Sequence, residues 1–86
     1  MKILLLGKAH THAQSREYDH LTQQIIAEIG PVRSVSANSR DGIALMQLYD
    51  VVQTPAYVVT RDDGTLVAVW QHRKPTLDEV SAAVRS

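Results

Sequence analysis

Residues 54–60 read Thr54-Pro55-Ala56-Tyr57-Val58-Val59-Thr60, a proline followed directly by an apolar run. Proline has no backbone N–H, so it is excluded from the interior of a strand but tolerated at its start. An X-Pro bond is also the one kind of peptide bond for which the cis form costs only about 0.5–1 kcal/mol. The stretch therefore predicts a strand over residues 56–60 with a structurally special proline at its head.

The segments on either side of this strand predict a helix before it and a hairpin after it. Apolar residues recur at helical spacing from Ile43 to Val52, and Asn38 or Ser39 can cap that helix. Leu66–Trp70 is a second apolar run, separated from the first by a turn that contains Asp63-Gly64. Because Asp-Gly favours a tight hairpin, these two strands are expected to pair antiparallel.

The first third of the chain predicts a strand, a long helix and another strand. Ile3–Leu6 is a continuous apolar run closed by Gly7, as in a strand that is buried on both faces. Thr11 and Gln14 fit a capping box for a helix that Gly30-Pro31 ends, and Val32–Ala37 follows as a short strand. At the other end of the chain, Thr76 and Glu79 form a second capping box before a final helix.

The length predicts one domain over residues 1–86, and the order of the predicted strands and helices makes it an α/β domain. Nine basic and nine acidic side chains cancel, so no electrostatic field favours nucleic acid or an anionic membrane. The apolar stretch at the N-terminus ends at Gly7-Lys8, shorter than a signal peptide needs, and a cytoplasmic location is expected. The chain has no cysteine.

The element order β-α-β-α-β-β-α resembles the thioredoxin-like fold, a mixed four-stranded sheet flanked by three helices. The residues that carry the resemblance are the segment Leu48–Pro55, the strand after it and the turn at Asp63-Gly64. The resemblance implies that Pro55 is cis and lies beside the functional site. A ferredoxin-like order would need two strands between its helices, where this chain shows one.

The glutaredoxin branch is the closer local comparison, because its active-site loop runs from the first strand through a lysine to Cys-x-x-Cys. Thr11 and Gln14 stand where that resemblance places the two cysteines. A helix N-terminus activates a thiol, but a threonine hydroxyl is far too weak an acid to be activated in this way. Thiol-disulfide exchange is therefore excluded for this chain alone, and no catalytic residue is assigned.

Glutathione binding does not require the thiol and is retained as an alternative. The resemblance places Lys8, Thr54 and Thr76 at the positions that hold the tripeptide in glutaredoxins, through its two carboxylates and its backbone. Such binding is physically reasonable, since an extended peptide can add to a sheet and a helix N-terminus accepts a carboxylate. Lys74-Pro75 departs from the glycine-rich approach that the family has before the last helix.

Three histidines suggest a second alternative, a zinc site. His10 and His12 flank Thr11, and His72 follows the fourth predicted strand, which returns to the end of the sheet where Pro55 lies. Three neutral imidazoles with an open fourth position suit zinc. The simpler interpretation is that these are exposed histidines.

The sequence thus favours a redox-inactive, thioredoxin-like binding or adaptor domain for a protein or peptide segment, with no nucleic-acid or membrane partner. The alternative is a degenerate glutaredoxin-like protein that binds glutathione or a metal ion, with transferase activity. The candidate contact residues are Lys8, His10, Thr11, His12, Gln14, Thr54, Pro55 and Thr76.

Overall fold

The computed structural model describes residues 1–8 and 12–86. The order of its elements is the predicted one. They are β1 (Lys2–Leu6), α1 (His12–Glu28), β2 (Val32–Val35), α2 (Arg40–Leu48), β3 (Ala56–Thr60), β4 (Leu66–Trp70) and α3 (Leu77–Arg85).

The four strands form one mixed sheet in the order β2-β1-β3-β4. β1 pairs parallel with β2, with Ile3 opposite Val32, and antiparallel with β3, with Leu6 opposite Ala56. β4 pairs antiparallel with β3. β1 and β3 are therefore the central strands, and the start of β3 lies at the same end of the sheet as the end of β1.

Hydrophobic clusters cover both faces of the sheet, which explains why the central strands are apolar without interruption. Alternate residues of β3 point to opposite faces: Tyr57 and Val59 join the cluster with α1 and α3, whereas Ala56 and Val58 join the cluster with the α2 side. Trp70, the last residue of β4, is partly buried and packs against the first cluster.

Two predicted boundaries are wrong. β2 ends at Val35 and not at Ala37, because the carbonyl of Ser36 turns away to accept hydrogen bonds from the backbone N–H and hydroxyl of Ser39. Ser39, one of the two predicted caps, is the N-cap of α2.

α2 ends at Leu48, four residues before the predicted end at Val52. Asp50 adopts a positive φ of 56°, and the N–H groups of Asp50 and Val51 donate to the carbonyls of Gln47 and Met46. This is the Schellman arrangement, which normally uses glycine at the left-handed position. An aspartate there gave no stop signal in the sequence.

The early end of α2 leaves residues 49–55 as an irregular segment that leads into β3. Val52 is consequently 78% exposed and does not continue the apolar side of the helix. The last helix matches its prediction, since Thr76 and Glu79 form the capping box. Among the described residues, no helix is long and apolar enough to cross a membrane.

Candidate functional site

The site is built where the β1–α1 connection meets the segment that precedes β3. The Thr54–Pro55 peptide bond is cis, and Pro55 is buried. Gly7 has a φ of 84°, and a β-carbon built on it would overlap that of Thr54 and lie 2.9 Å from Thr54 Oγ1. The two connections are therefore in direct contact, and only glycine permits this approach.

An open groove of about 580 Å³ lies beside this contact and is called the Pro55 groove below. Three separate parts of the chain line it: the first turns of α1, the segment before β3, and the connection from β4 to α3. The lining residues are Gln14, Glu17, Tyr18, Val52, Gln53, Thr54, Pro55, Gln71, His72, Arg73 and Lys74.

Gln71 holds the segment before β3 in place. Its Oε1 accepts hydrogen bonds from the backbone N–H groups of Val52 (2.7 Å) and Gln53 (3.2 Å). Its Nε2 donates to the carbonyl of Asp50 at 3.3 Å. One side-chain amide thus satisfies three backbone groups that neither α2 nor β3 can pair.

His72 makes a second contact with the same segment. Its Nδ1–H donates to Oε1 of Gln53 at 2.7 Å, because an amide oxygen can only accept. In the neutral ring this leaves Nε2 as the acceptor. His72 is exposed, and its ring is held by an amide in place of the carboxylate that usually orients a catalytic histidine.

The connection from β4 to α3 is fixed by an ion pair at its outer side. Arg73 donates from both terminal nitrogens to the carboxylate of Glu79, with the Nη1–Oε1 distance 2.8 Å. The pair raises the pKa of Arg73, and together with the Thr76 N–H it lowers the pKa of Glu79 from 4.5 to about 2. Glu79 therefore stays charged in the folded protein at any ordinary pH.

Tyr18 lies under the groove and belongs also to the core. Its ring stacks on that of Tyr57 with 5.6 Å between centroids, and its carbonyl accepts the hydroxyl of Tyr57 at 3.1 Å. The hydroxyl of Tyr57 also contacts Thr22. Burial raises the pKa of both tyrosines, so both remain neutral. The part of the groove lined by Tyr18 is thus supported by ring stacking and a hydrogen bond in the core.

A smaller depression of about 300 Å³ adjoins the groove and shares Tyr18 and Pro55 with it. Lys8, Gly7 and Asp19 are among its lining residues. Of the predicted contact residues, Gln14, Thr54 and Pro55 therefore line the groove itself, and Lys8 lies in the neighbouring depression. His12 is the exposed first residue of α1.

Thr76 is not among the residues that line the groove. Its hydroxyl accepts the N–H of Glu79 at 3.1 Å, and its own N–H donates to the Glu79 carboxylate at 3.0 Å. At the start of α3, where the glutathione hypothesis places a ligand carboxylate, the Thr76 N–H is already bonded to a carboxylate of the chain itself.

His10 and Thr11 lie outside the described residues, so the predicted cap at Thr11 and the full histidine set remain predictions. Within residues 1–8 and 12–86, no group of three histidines or carboxylates can hold a metal ion. The zinc hypothesis for His10, His12 and His72 therefore rests on the sequence pattern alone.

The sequence did not point to Gln71, Gln53 or Glu17 as parts of the site. A glutamine after a strand has no characteristic pattern, and its partners lie 18–21 residues away along the chain. Glu17 is an exposed residue of α1 and belongs to no motif in the sequence. Only its position on α1, facing the groove, distinguishes it from any other exposed glutamate.

Comparisons with known proteins bear on the fold. No protein-family model matches the chain, and no curated protein matches it in sequence. Among solved structures, a thioredoxin from Thermus thermophilus superposes with a TM-score of 0.61 at 16% identity, over 96% of this chain and 70% of that one.

Two further solved structures are similar to the same extent. One, described as a malarial protein, has a TM-score of 0.60 at 19% identity over 96% of this chain and 91% of the other. The second, a designed protein, has a TM-score of 0.61 at 10% identity. The match covers 98% of this chain and 72% of the designed protein's chain. Together with the strand order and the helices on both faces, these likenesses establish that the chain has a thioredoxin-like fold.

Proposed function

We propose that this protein is a redox-inactive, thioredoxin-like binding domain of the cytoplasm that holds an extended segment of a protein partner in the Pro55 groove. The chain has no cysteine, so it cannot form or exchange a disulfide by itself. Recognition of a segment does not depend on a thiol, because backbone groups and side-chain contacts supply the binding energy.

The observation that supports this function best is that the groove is held in shape before any partner arrives. Gln71 fixes the backbone at Asp50, Val52 and Gln53, and Tyr18 fixes the floor. A preorganised surface loses little conformational entropy on binding, which favours affinity. The lining is a mixture of polar side chains with Val52, Pro55 and Tyr18, a composition suited to an extended peptide.

The proposal is tested by selecting binders from a cysteine-free random peptide library and mapping them by NMR. We expect selected peptides to shift the backbone amides of Val52, Gln53 and His72 in a saturable manner. Shifts confined to residues that do not line the groove would contradict the proposal.

Gln71→Ala is the sharpest variant for this test, with Gln71→Glu as its matched control. Removing the amide breaks its three hydrogen bonds to the segment before β3, so we expect peptide binding to weaken by about three- to tenfold. Gln71→Glu keeps the oxygen that accepts from Val52 and Gln53, so it should lose less peptide affinity than Gln71→Ala. Hydrogen exchange at those two amides should accelerate in Gln71→Ala.

An unchanged affinity in Gln71→Ala, with faster exchange at Val52 and Gln53, would show that the shape of this segment does not matter for binding. A folded protein is verified in both variants by the dispersion of the remaining amide signals.

The alternative, a degenerate glutaredoxin-like transferase that uses glutathione or a metal ion, has less support. Lys8 is close to Pro55, as glutathione binding requires, but the N–H of Thr76 is engaged by Glu79. Glutathione at millimolar concentration is therefore expected to leave the amides of Lys8, Thr54 and Thr76 unshifted. Glutathione-dependent turnover above background would favour the alternative over our proposal.

A further inference from the structure

Some of the polar and charged side chains in the Pro55 groove have partners inside the protein, and others have none among the described residues. Arg73 is paired with Glu79, and the ring of His72 is bound to Gln53. Lys74 and Glu17 line the same groove, but neither side chain makes an ion pair or a hydrogen bond with another residue that the structure describes. These two charges are available to a ligand.

Lys74 is held in position although its ammonium group is free. Arg73 on one side is fixed by Glu79 and also contacts the carbonyl of Lys74 at 3.4 Å, and Pro75 on the other side is fully buried. The backbone of Lys74 is therefore anchored at both neighbours, and the residue is itself half-buried. A cation on an anchored backbone gives a more directional contact than one on a mobile loop.

Glu17 faces the groove from a different element, the second turn of α1, and is exposed. The adjacent Tyr18 anchors this part of the helix in the core. The groove thus presents a negative charge from α1 and a positive charge from the connection between β4 and α3. A chain segment with a uniform charge would be repelled at one of the two positions.

We propose, on the basis of the binding function proposed above, that the partner segment carries one acidic and one basic side chain, which pair with Lys74 and Glu17 respectively. The two pairs determine which segments are accepted and in which direction they lie across Pro55. Backbone and apolar contacts at Val52 and Tyr18 supply the part of the affinity that does not depend on sequence.

The test uses the peptides selected from the cysteine-free random library against the wild-type protein. Reversal of one charge, as Lys74→Glu or Glu17→Lys, should weaken their binding about tenfold, because an attraction becomes a repulsion in a partly enclosed site. Replacing the acidic residue of a peptide by lysine should restore its binding to Lys74→Glu and weaken its binding to the wild type about tenfold. Arg40→Glu, an equal change of charge on the exposed side of α2, is the matched control and should have no effect.

Lys74→Gln is measured beside Lys74→Glu, because it removes the charge with less risk to folding. Its peptide affinity should lie between those of the wild type and Lys74→Glu. Two outcomes overturn the inference in different ways. Peptides that still shift Val52 and Gln53 but bind Lys74→Glu and Glu17→Lys as well as the wild type would refute the charge selection and leave the groove as the binding site. Selected peptides that shift no amide of the groove would refute the proposed function together with the inference.

Discussion

At the scale of single residues, the site depends on a contact between Gly7 and Thr54. Gly7 follows β1, and its positive φ lets the chain turn while its missing side chain admits Thr54. Its N–H donates to the carbonyl of Val35 at 2.9 Å, so its backbone cannot move away without losing this bond. The approach of the chain after β1 to the segment before Pro55 is therefore set, at Gly7, by one glycine.

Gly7→Ala should lower the free energy of unfolding by about 2–4 kcal/mol, since it adds left-handed backbone strain to a steric overlap. Gly30→Ala is the matched control, because a β-carbon there meets no atom within 4 Å. Urea unfolding of the two variants measures the difference. Equal stabilities would show that Thr54 moves aside at little cost.

At the scale of elements, the start of α3 and the connection before it form one hydrogen-bonded unit. The carboxylate of Glu79 accepts from Arg73 and from the N–H of Thr76, and the hydroxyl of Thr76 accepts from Glu79. The capping box therefore reaches beyond the helix to the residue that precedes Lys74. Changes in Glu79 are transmitted to the groove through Arg73.

This unit predicts a pH dependence of stability. Because the pKa of Glu79 is lowered from 4.5 to about 2, its contribution is complete above pH 4.5 and is lost as the pH falls towards 2. Glu79→Gln lacks the charge, so the wild type should be the more stable protein at neutral pH, and the difference should shrink through this range. Urea unfolding at a series of pH values measures it.

Asp62 and Asp63, whose pKa values are also lowered, are present in both proteins and cancel in the comparison. Added salt should reduce the difference at neutral pH, because the pair is exposed. A difference that stays constant from pH 7 to pH 2 would mean that the charge of Glu79 contributes nothing.

At the scale of the whole molecule, one sheet serves two hydrophobic clusters. β3 contributes to both, with Tyr57 and Val59 on the side of α1 and α3 and Val58 on the side of α2. Loss of packing in one cluster therefore loosens β3 and destabilises the other cluster as well. The domain should unfold as one unit, as small domains usually do.

Val58→Ala tests this coupling, because Val58 is fully buried in the cluster on the α2 side. The lost methyl groups and the cavity should cost about 2–3 kcal/mol. Trp70, the only tryptophan, packs against the opposite cluster, yet its fluorescence should report the same lowered midpoint as circular dichroism. Val52→Ala, at an exposed position, should leave the fluorescence and circular dichroism midpoints unchanged. If the two midpoints of Val58→Ala differ from each other, the coupling is refuted.

The fold could be predicted from the sequence because its signals are local. The apolar run Ala56–Thr60, the capping box at Thr76 and Glu79, and the breaker Gly30-Pro31 each act within a few residues, where side-chain pattern and backbone preference decide the structure. The element order follows from them, and the resemblance of that order to the thioredoxin-like fold implied that Lys8 and Pro55 lie close together. The end of α2 was missed because an aspartate, Asp50, takes the left-handed position usually held by glycine.

Only the tertiary structure decided what the groove is made of. The amide of Gln71 reaches backbone groups 18–21 residues away, and Glu17 and Lys74 come to one surface from opposite ends of the chain. Such contacts arise when the sheet brings distant segments together. The identity of a polar residue does not indicate which distant group it will contact. Local physics thus specified the elements, and the long-range packing of those elements specified the site.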